Sequence, residues 1–203
     1  MKQMKPLARI FEGLDRRHFF DKLPDGLYLR VRYWITFEKR LNLKQPQTFN
    51  EKLQWLKLHC RRPEFTDYVD KYKVRQFVAQ KIGEKYLIPL LGVWENADAI
   101  DFDRLPEAFV LKCNHNSGRG MVICQNKGAL DIEKAWQALA LGLQQNYYLV
   151  GREWPYKHVK RRILGETYMK DGEKETLVDY KVLCFHGIPR LIQVHRNRFS
   201  KNY

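Results

Sequence analysis

Two strand-like segments joined by a glycine-containing loop constrain the fold of this chain more than any other feature. Residues 109–113 (FVLKC) and 121–124 (MVIC) are short apolar runs typical of β-strands. The loop between them, NHNSGRG, has two glycines whose backbone can approach a ligand closely and direct N–H groups at anionic oxygens. Loops of the GxxxxGK[ST] or GxGxxG type lead into a helix, whereas this one leads into a strand. By itself the pattern fits an ordinary hairpin equally well.

Helices are predicted ahead of this loop. The sequence TFNE at residues 48–51 is a capping box that begins a helix, and residues 66–82 predict a second helix that ends at Gly83. Residues 7–14 place apolar side chains on one helical face. Residues 27–37 alternate apolar and basic residues, a pattern that fits either a strand or a helix with a basic face.

Strands around one helix are predicted for the rest of the chain. Asp131 caps that helix, and residues 186–189 form a turn between two strands. The further strand candidates are residues 87–94, 163–169, 177–185 and 190–194. This order predicts an α+β fold with mainly antiparallel pairing. We expect an N-terminal helical region at residues 1–62 and a second region at residues 63–203.

The net charge of the chain limits the classes of partner that it can bind. There are 37 Lys and Arg against 23 Asp and Glu, a net charge of +14, which suits nucleic acid, an anionic membrane surface or an anionic substrate. Residues 152–162 interleave basic and aromatic side chains, yet no RRM, KH or helix-turn-helix signature accompanies them. The longest apolar run is too short to span a membrane. We expect a cytoplasmic protein, with residues 1–20 as a candidate peripheral contact at the inner face of the membrane.

The four cysteines are too few and too scattered to staple a domain of this size. Cys113, Cys124 and Cys184 each lie in an apolar run, which predicts buried thiols. The chain has no CxxC pair, so the cysteines do not predict a metal site.

Longer segments of the chain resemble the ATP-grasp superfamily, and most closely its TupA-like branch, which is associated with teichuronopeptide biosynthesis. The resemblance covers most of residues 23–199. It is carried by FNEKLQWLKL, VDKYKVR, YLIPLLGVW, FVLKCNHNSG, GREWPYK and LVDYKVLCFHGIPRLIQV. It implies an ATP-grasp-like α+β fold in which the strand–loop–strand element is a flap over the phosphates, and in which the C-terminal part is incomplete.

The resemblance also implies an ATP-binding site. The phosphates would be contacted by Lys71 and Lys112 and covered by the flap residues Ser117, Gly118 and Gly120. The hinge beside the adenine would be Glu166, Tyr168 and Met169. On one strand, Asp179 would reach the ribose and Lys181 the γ-phosphate. The possible acceptor site is Arg152, Trp154, Tyr156 and Lys157.

The activity that the resemblance implies is ligation of a carboxylate to an amine, with ATP and Mg²⁺, through an acyl phosphate. The partners would be a nucleotide and an anionic polysaccharide or peptide acceptor of the cell envelope. The magnesium ligands of such proteins are expected on strands beyond residue 203, so we expect weak nucleotide binding and no ligation by these 203 residues alone.

Two other functions stay open at this point. A glycosyltransferase-type enzyme of polysaccharide biosynthesis is one, although Asp101 and Asp103 lie in a predicted loop and are a weak match to a DxD metal motif. A basic nucleic-acid-binding module is the other. The basic residues are spread along the chain, so we expect no specific nucleic-acid partner.

Overall fold

The computed structural model describes residues 6–170 and 177–196, within which seven α-helices and six strands form. The helices are α1 Pro6–Arg16, α2 Asp25–Phe37, α3 Phe49–His59, α4 Glu64–Val69, α5 Lys73–Ile82, α6 Ile132–Gln144 and α7 Tyr147–Gly151. The strands are β1 Leu90–Trp94, β2 Phe109–Cys113, β3 Met121–Cys124, β4 Ile163–Thr167, β5 Asp179–Phe185 and β6 Ile188–His195. The predicted α+β layout is confirmed.

Four strands form one sheet in the order β1-β4-β2-β3, and each pairing in it is antiparallel. The register sets Val110 opposite Glu166 and Lys112 opposite Met121. Because side chains alternate across a strand, these four residues project from the same face of the sheet. The predicted strand–loop–strand element is present as β2, the loop at residues 114–120, and β3.

Helix α6 covers the other face of this sheet. Phe109 and Leu111 of β2, Ile163 of β4 and Leu139 of α6 are fully buried there and belong to one apolar cluster. Ala135 and Leu139 are buried four residues apart on α6, which is the spacing of one helical face. On the opposite face, which carries Lys112, Leu164 and Glu166 of β4 are buried, whereas Met121 and Ile123 of β3 are exposed, so this face is open at its β3 edge.

The N-terminal helices have an apolar core of their own. Phe11 of α1 is buried together with Tyr28, Leu29 and Tyr33 of α2. Of the two alternatives for residues 27–37, the structure therefore has the helix, with these three positions facing inward. The capping box at the start of α3 is confirmed: the Glu51 N–H donates to Thr48 Oγ1, and the Thr48 N–H donates to the Glu51 carboxylate.

The single helix predicted over residues 66–82 is wrong, because the structure has two helices with a break at Asp70. The Asp70 carboxylate accepts hydrogen bonds from the N–H groups of Tyr72 (2.8 Å) and Lys73 (3.4 Å). An aspartate that bonds nearby backbone in this way starts a new helix instead of continuing the old one. The break frees Lys71 from helical geometry.

Strands β5 and β6 form a separate two-stranded sheet. His186 and Gly187 both have positive φ, as in a type I′ turn, so Ile188 and Pro189 belong to β6 and not to the predicted turn. Among the described elements, this hairpin packs extensively only on itself. The prediction of a buried Cys184 is therefore wrong: its thiol is exposed. Cys113 and Cys124 are buried as predicted.

The end of the glycine loop lies directly against α6. A Cβ placed on Gly120 would be 2.7 Å from Gly142 Cα and 2.8 Å from Cys113 Sγ. Gly120 also has a φ of 66°, which favours glycine. Gly118 has a φ of 86°, but a Cβ there would meet nothing within 4 Å. At both positions a residue other than glycine would therefore strain the backbone, and at Gly120 its Cβ would also clash with α6 and Cys113.

We expect Gly120→Ala to lower the free energy of unfolding by about 3 kcal/mol, from overpacking plus the strained backbone. Gly118→Ala is the matched control and should cost about 1 kcal/mol, from the backbone alone. Urea unfolding followed by circular dichroism measures both. Equal losses for the two variants would contradict a close loop–helix contact.

Candidate functional site

A buried ion-pair cluster lies on the face of the four-stranded sheet that is turned away from α6. Glu166 of β4 pairs through Oε2 with the ammonium of Lys112 and through Oε1 with Arg75 Nη1, at 3.3 Å. Arg75 also donates from Nη2 to the Ile88 carbonyl, at 2.7 Å. The side chain of Glu166 is 7% exposed, so water contributes little to its solvation. Two cations therefore balance one buried carboxylate here.

Lys112 is the more accessible member of this cluster, with a side chain 25% exposed. Met121 and Ile123 of β3 are exposed on the same face of the sheet. An ammonium beside an open apolar surface is an arrangement that suits a ligand with an anionic part and a flat apolar part.

Lys71 lies at the helix break and is held by the loop. Its ammonium donates to the carbonyl oxygens of Asn114 (3.2 Å) and Asn116, and its backbone N–H donates to Asn114 O at 3.2 Å. Burial lowers the pKa of Lys71, and the Lys112 ammonium lowers it further. The two predicted phosphate lysines are thus brought near one another, with Lys71 oriented toward the loop backbone.

The start of the loop is fixed by Asn114, which is fully buried. Its amide donates to Asp70 Oδ1 (2.8 Å) and to the Lys160 carbonyl (2.9 Å), and its Oδ1 accepts from the Arg162 N–H (2.7 Å). Sequence reasoning missed Asn114 and Arg75 as parts of the site. For Asn114 the available signal was a polar amide directly after a buried strand.

Only the tip of the loop is open to solvent. Asn114, His115 and Asn116 are buried, as is Gly120, whereas residues 117–119 are exposed. His115 Nε2 donates to the Gln145 carbonyl at 3.0 Å, and the Asn116 amide donates to Gly142 O at 3.2 Å. Of the three predicted flap residues, Ser117 and Gly118 are thus accessible from solvent, whereas Gly120 is buried.

Of the predicted hinge residues, Glu166 lies in β4, and Tyr168 and Met169 come directly after the end of this strand. Tyr168 accepts a hydrogen bond at its hydroxyl from Gln125 Nε2, at 2.6 Å, and Met169 is exposed. The Glu166 side chain is directed to Lys112 and Arg75, and the Thr167 N–H donates to the Pro89 carbonyl at 3.1 Å. Tyr168 and Met169 are therefore the hinge residues that lie outside both the ion-pair cluster and β4.

Asp179 and Lys181 lie on β5, opposite His195 and Gln193 of β6. Because they are two residues apart on a strand, they share one face of the hairpin, as expected. The hairpin's contacts with the other described elements are few. The grouping of these two residues with Lys71 and Lys112 stays a prediction.

The candidate acceptor residues divide into two groups. Arg152 is 3% exposed; its Nη2 donates to the Phe20 carbonyl at 2.7 Å, and its guanidinium lies 4.5 Å from the Tyr28 ring centroid. Arg152 therefore joins α7 to the N-terminal helices and is not available to an acceptor. Trp154 and Tyr156 are half-buried and Lys157 is exposed. A groove of about 580 Å³ between α3 and this segment includes Glu153 and Pro155.

A larger cleft, of about 720 Å³, lies on the α6 side of the loop. It is lined by Ser117 and Arg119 of the loop tip, by the end of α6 and α7, and by Asp15 and Asp21. The lysine pair and Glu166 do not line it. The largest of the described cavities and the lysine cluster thus lie on different sides of the loop. We place the candidate site at the lysine cluster, because its cations suit an anionic ligand.

No metal cage is formed by the residues that the structure describes, since nowhere in 6–170 and 177–196 do three or more His, Cys, Asp or Glu side chains cluster suitably. The candidate site is consequently built from cations, amides and an apolar sheet face.

An antiparallel sheet that carries a strand–loop–strand element and paired lysines is the arrangement expected of an ATP-grasp nucleotide-binding lobe. The family model described as TupA-like ATPgrasp matches residues 51–203, three quarters of the chain, so the chain belongs to the TupA-like ATP-grasp family. ATP-grasp proteins generally bind ATP with Mg²⁺. No curated protein and no solved structure matches the chain.

Replacing the central carboxylate tests whether the cluster is as tightly coupled as its burial indicates. Glu166→Gln leaves Lys112 and Arg75 without a counter-charge, and we expect the free energy of unfolding to fall by about 3 kcal/mol. Glu95→Gln is the matched control, because Glu95 pairs with Lys160 in solvent, and it should cost less than about 1 kcal/mol. Urea midpoints at constant m-value provide the comparison. Similar shifts for the two variants would show that the buried cluster contributes no special stability.

Proposed function

We propose that this chain binds ATP on the open face of its four-stranded sheet, with Lys112 as the principal phosphate contact. The observation that carries this proposal is the Lys112–Glu166–Arg75 cluster beside the exposed apolar residues of β3. In the absence of a ligand, Lys112 pairs with Glu166. When Lys112 turns to a phosphate, Glu166 still has Arg75 as its counter-charge. Binding then leaves no buried carboxylate unpaired.

The base and the phosphates would occupy different parts of this face. Met121 and Ile123 offer an apolar surface for adenine, and the backbone of Tyr168 and Met169 offers donors and acceptors to its edge. The N–H groups of the loop tip, at residues 117–119, are suited to phosphate oxygens. Gly120 would act by fixing the tip, because it is buried against α6.

Two further assignments belong to the proposal. Lys71 lies near Lys112 and adds positive charge below the loop, and from its contacts it holds the loop carbonyls in place while doing so. Asp179 and Lys181 would reach the ribose and the γ-phosphate from the β5–β6 hairpin. The described residues give Mg²⁺ no cluster of acidic ligands, so we assign it none of them.

The reaction that we propose is ATP-dependent ligation in the biosynthesis of a cell-surface polysaccharide or teichuronopeptide. The γ-phosphoryl group passes to a substrate carboxylate with loss of ADP, and an amine then displaces phosphate to form an amide. Trp154, Tyr156 and Lys157 are the residues we propose for the anionic polymer or peptide acceptor. Membership of the TupA-like family supports this role.

Thermal unfolding with and without ATP and Mg²⁺ tests the nucleotide site. ATP at one hundred times its dissociation constant should stabilise the native protein by about 2.7 kcal/mol and raise its Tm. Lys112→Met keeps the apolar stem and removes the ammonium, so we expect the ATP-dependent shift to be lost. Lys134→Met removes an exposed ammonium on α6 and should retain it. Each shift is measured against the same variant without nucleotide.

Other outcomes of this experiment would reject the proposal. An ATP shift retained by Lys112→Met would move the nucleotide away from the sheet face. Stabilisation by UDP-sugars without any response to ATP would favour a glycosyltransferase. Retention on oligonucleotides at physiological ionic strength, lost on addition of salt, would favour a nucleic-acid-binding protein.

A further inference from the structure

The N-terminal helix is amphipathic, and the protein covers only part of its apolar side. Phe11 is buried, with its ring 4.7 Å from the Phe20 ring and 5.8 Å from the Tyr28 ring, centroid to centroid. Leu7 and Ile10 lie on the same side by helical periodicity, yet they are 52% and 62% exposed. One edge of the apolar side is thus packed and the other faces solvent.

The turn at the end of α1 extends this exposed edge. His18 has a φ of 63°; its N–H donates to Asp15 O at 3.0 Å, and the Phe19 N–H donates to Leu14 O at 3.1 Å. These two bonds define a Schellman motif, which sets the residue after the left-handed one beside the residue five positions earlier. Phe19, which is 71% exposed, therefore lies next to Leu14. The resulting N-terminal ridge consists of Leu7, Ile10, Leu14 and Phe19.

The first 62 residues carry a larger net positive charge than the rest of the chain. Residues 1–62 contain 15 Lys and Arg against 6 Asp and Glu, a net charge of +9 within the +14 of the whole sequence. Arg9, Arg17 and Lys22 are exposed in α1 and in the turn after it. Within this part, residues 1–22, which include α1 and the turn after it, have six Lys and Arg against three Asp and Glu, a net charge of +3.

We propose that the N-terminal ridge docks on a bilayer that contains anionic phospholipid. Apolar side chains flanked by Lys and Arg on an amphipathic helix are the features that place a helix in the plane of a membrane interface. Charge complementarity selects this occupant, because anionic headgroups attract the basic region while the acyl boundary accepts Ile10 and Phe19. None of the helices within the described residues is long and apolar enough to cross a bilayer.

Other occupants would engage the same residues differently. A nucleic acid would use the basic side chains and leave the ridge in water. A second copy of the chain would bury the ridge without any requirement for anionic lipid, and two copies of a basic region would repel each other. The ridge and the charge are used together only on an anionic membrane surface. The docking does not depend on the proposed ATP site, since no residue is shared.

Co-sedimentation with vesicles of phosphatidylcholine, with and without phosphatidylglycerol, tests the proposal. We expect the full chain to bind the anionic vesicles and not the neutral ones. Ile10→Glu should weaken binding by about tenfold, through loss of an inserted aliphatic side chain. Ile82→Glu is the matched control, because Ile82 is 58% exposed at the end of α5, and its binding should be unchanged. Arg9→Gln should weaken binding by about fivefold.

Three results would overturn the proposal. The first is absence of binding to anionic vesicles. The second is equal loss in Ile10→Glu and Ile82→Glu, which would mean that charge alone determines binding. The third is a dimer, seen by light scattering, that Ile10→Glu converts to a monomer, since the ridge would then belong to an interface between copies. Matching far-UV spectra of the variants confirm that each is folded.

Discussion

The candidate site depends on a single buried carboxylate. Glu166, in one of the two inner strands of the sheet, neutralises Lys112 and Arg75, and Arg75 continues to the Ile88 carbonyl just before β1. A buried carboxylate such as Glu166 is not tolerable in the interior without a cation beside it. Arg75 and Glu166 are more than 90 residues apart in the sequence, so their pairing joins distant segments beside Lys112.

A second buried arrangement divides the loop into a frame and a tip. Asp70 and Asn114 bond to each other and to backbone on two sides, and Lys71 fills the space beneath with its ammonium. Because polar groups in the interior cost free energy unless they are bonded, this frame resists opening. Conformational freedom is left to residues 117–119. A ligand at the tip would thus have to order only these three residues, which limits the entropy lost on binding.

The sequence predicts those features that local interactions determine. The capping box at residues 48–51 and the two strands around the loop need only their own neighbours, and the structure confirms them. The break at Asp70 was missed because its cause includes Asn114, 44 residues away. Arg152 fits a surface site by its charge but is buried by contacts with the N-terminal helices. A single contact between distant segments leaves no periodic pattern in the sequence. Arg75 could not be predicted as a site residue for that reason, because its contact is with Glu166.

The close approach of Gly120 to Gly142 limits the residue that is allowed at each of these two positions. A Cβ on either residue would meet the Cα of the other, at 2.7 or 2.5 Å, so a side chain at one position cannot be relieved by shrinking its partner. Evolutionary drift at these two positions is then blocked in both directions. A side chain at either position would therefore push the loop and α6 apart, so the two glycines together set the distance between them.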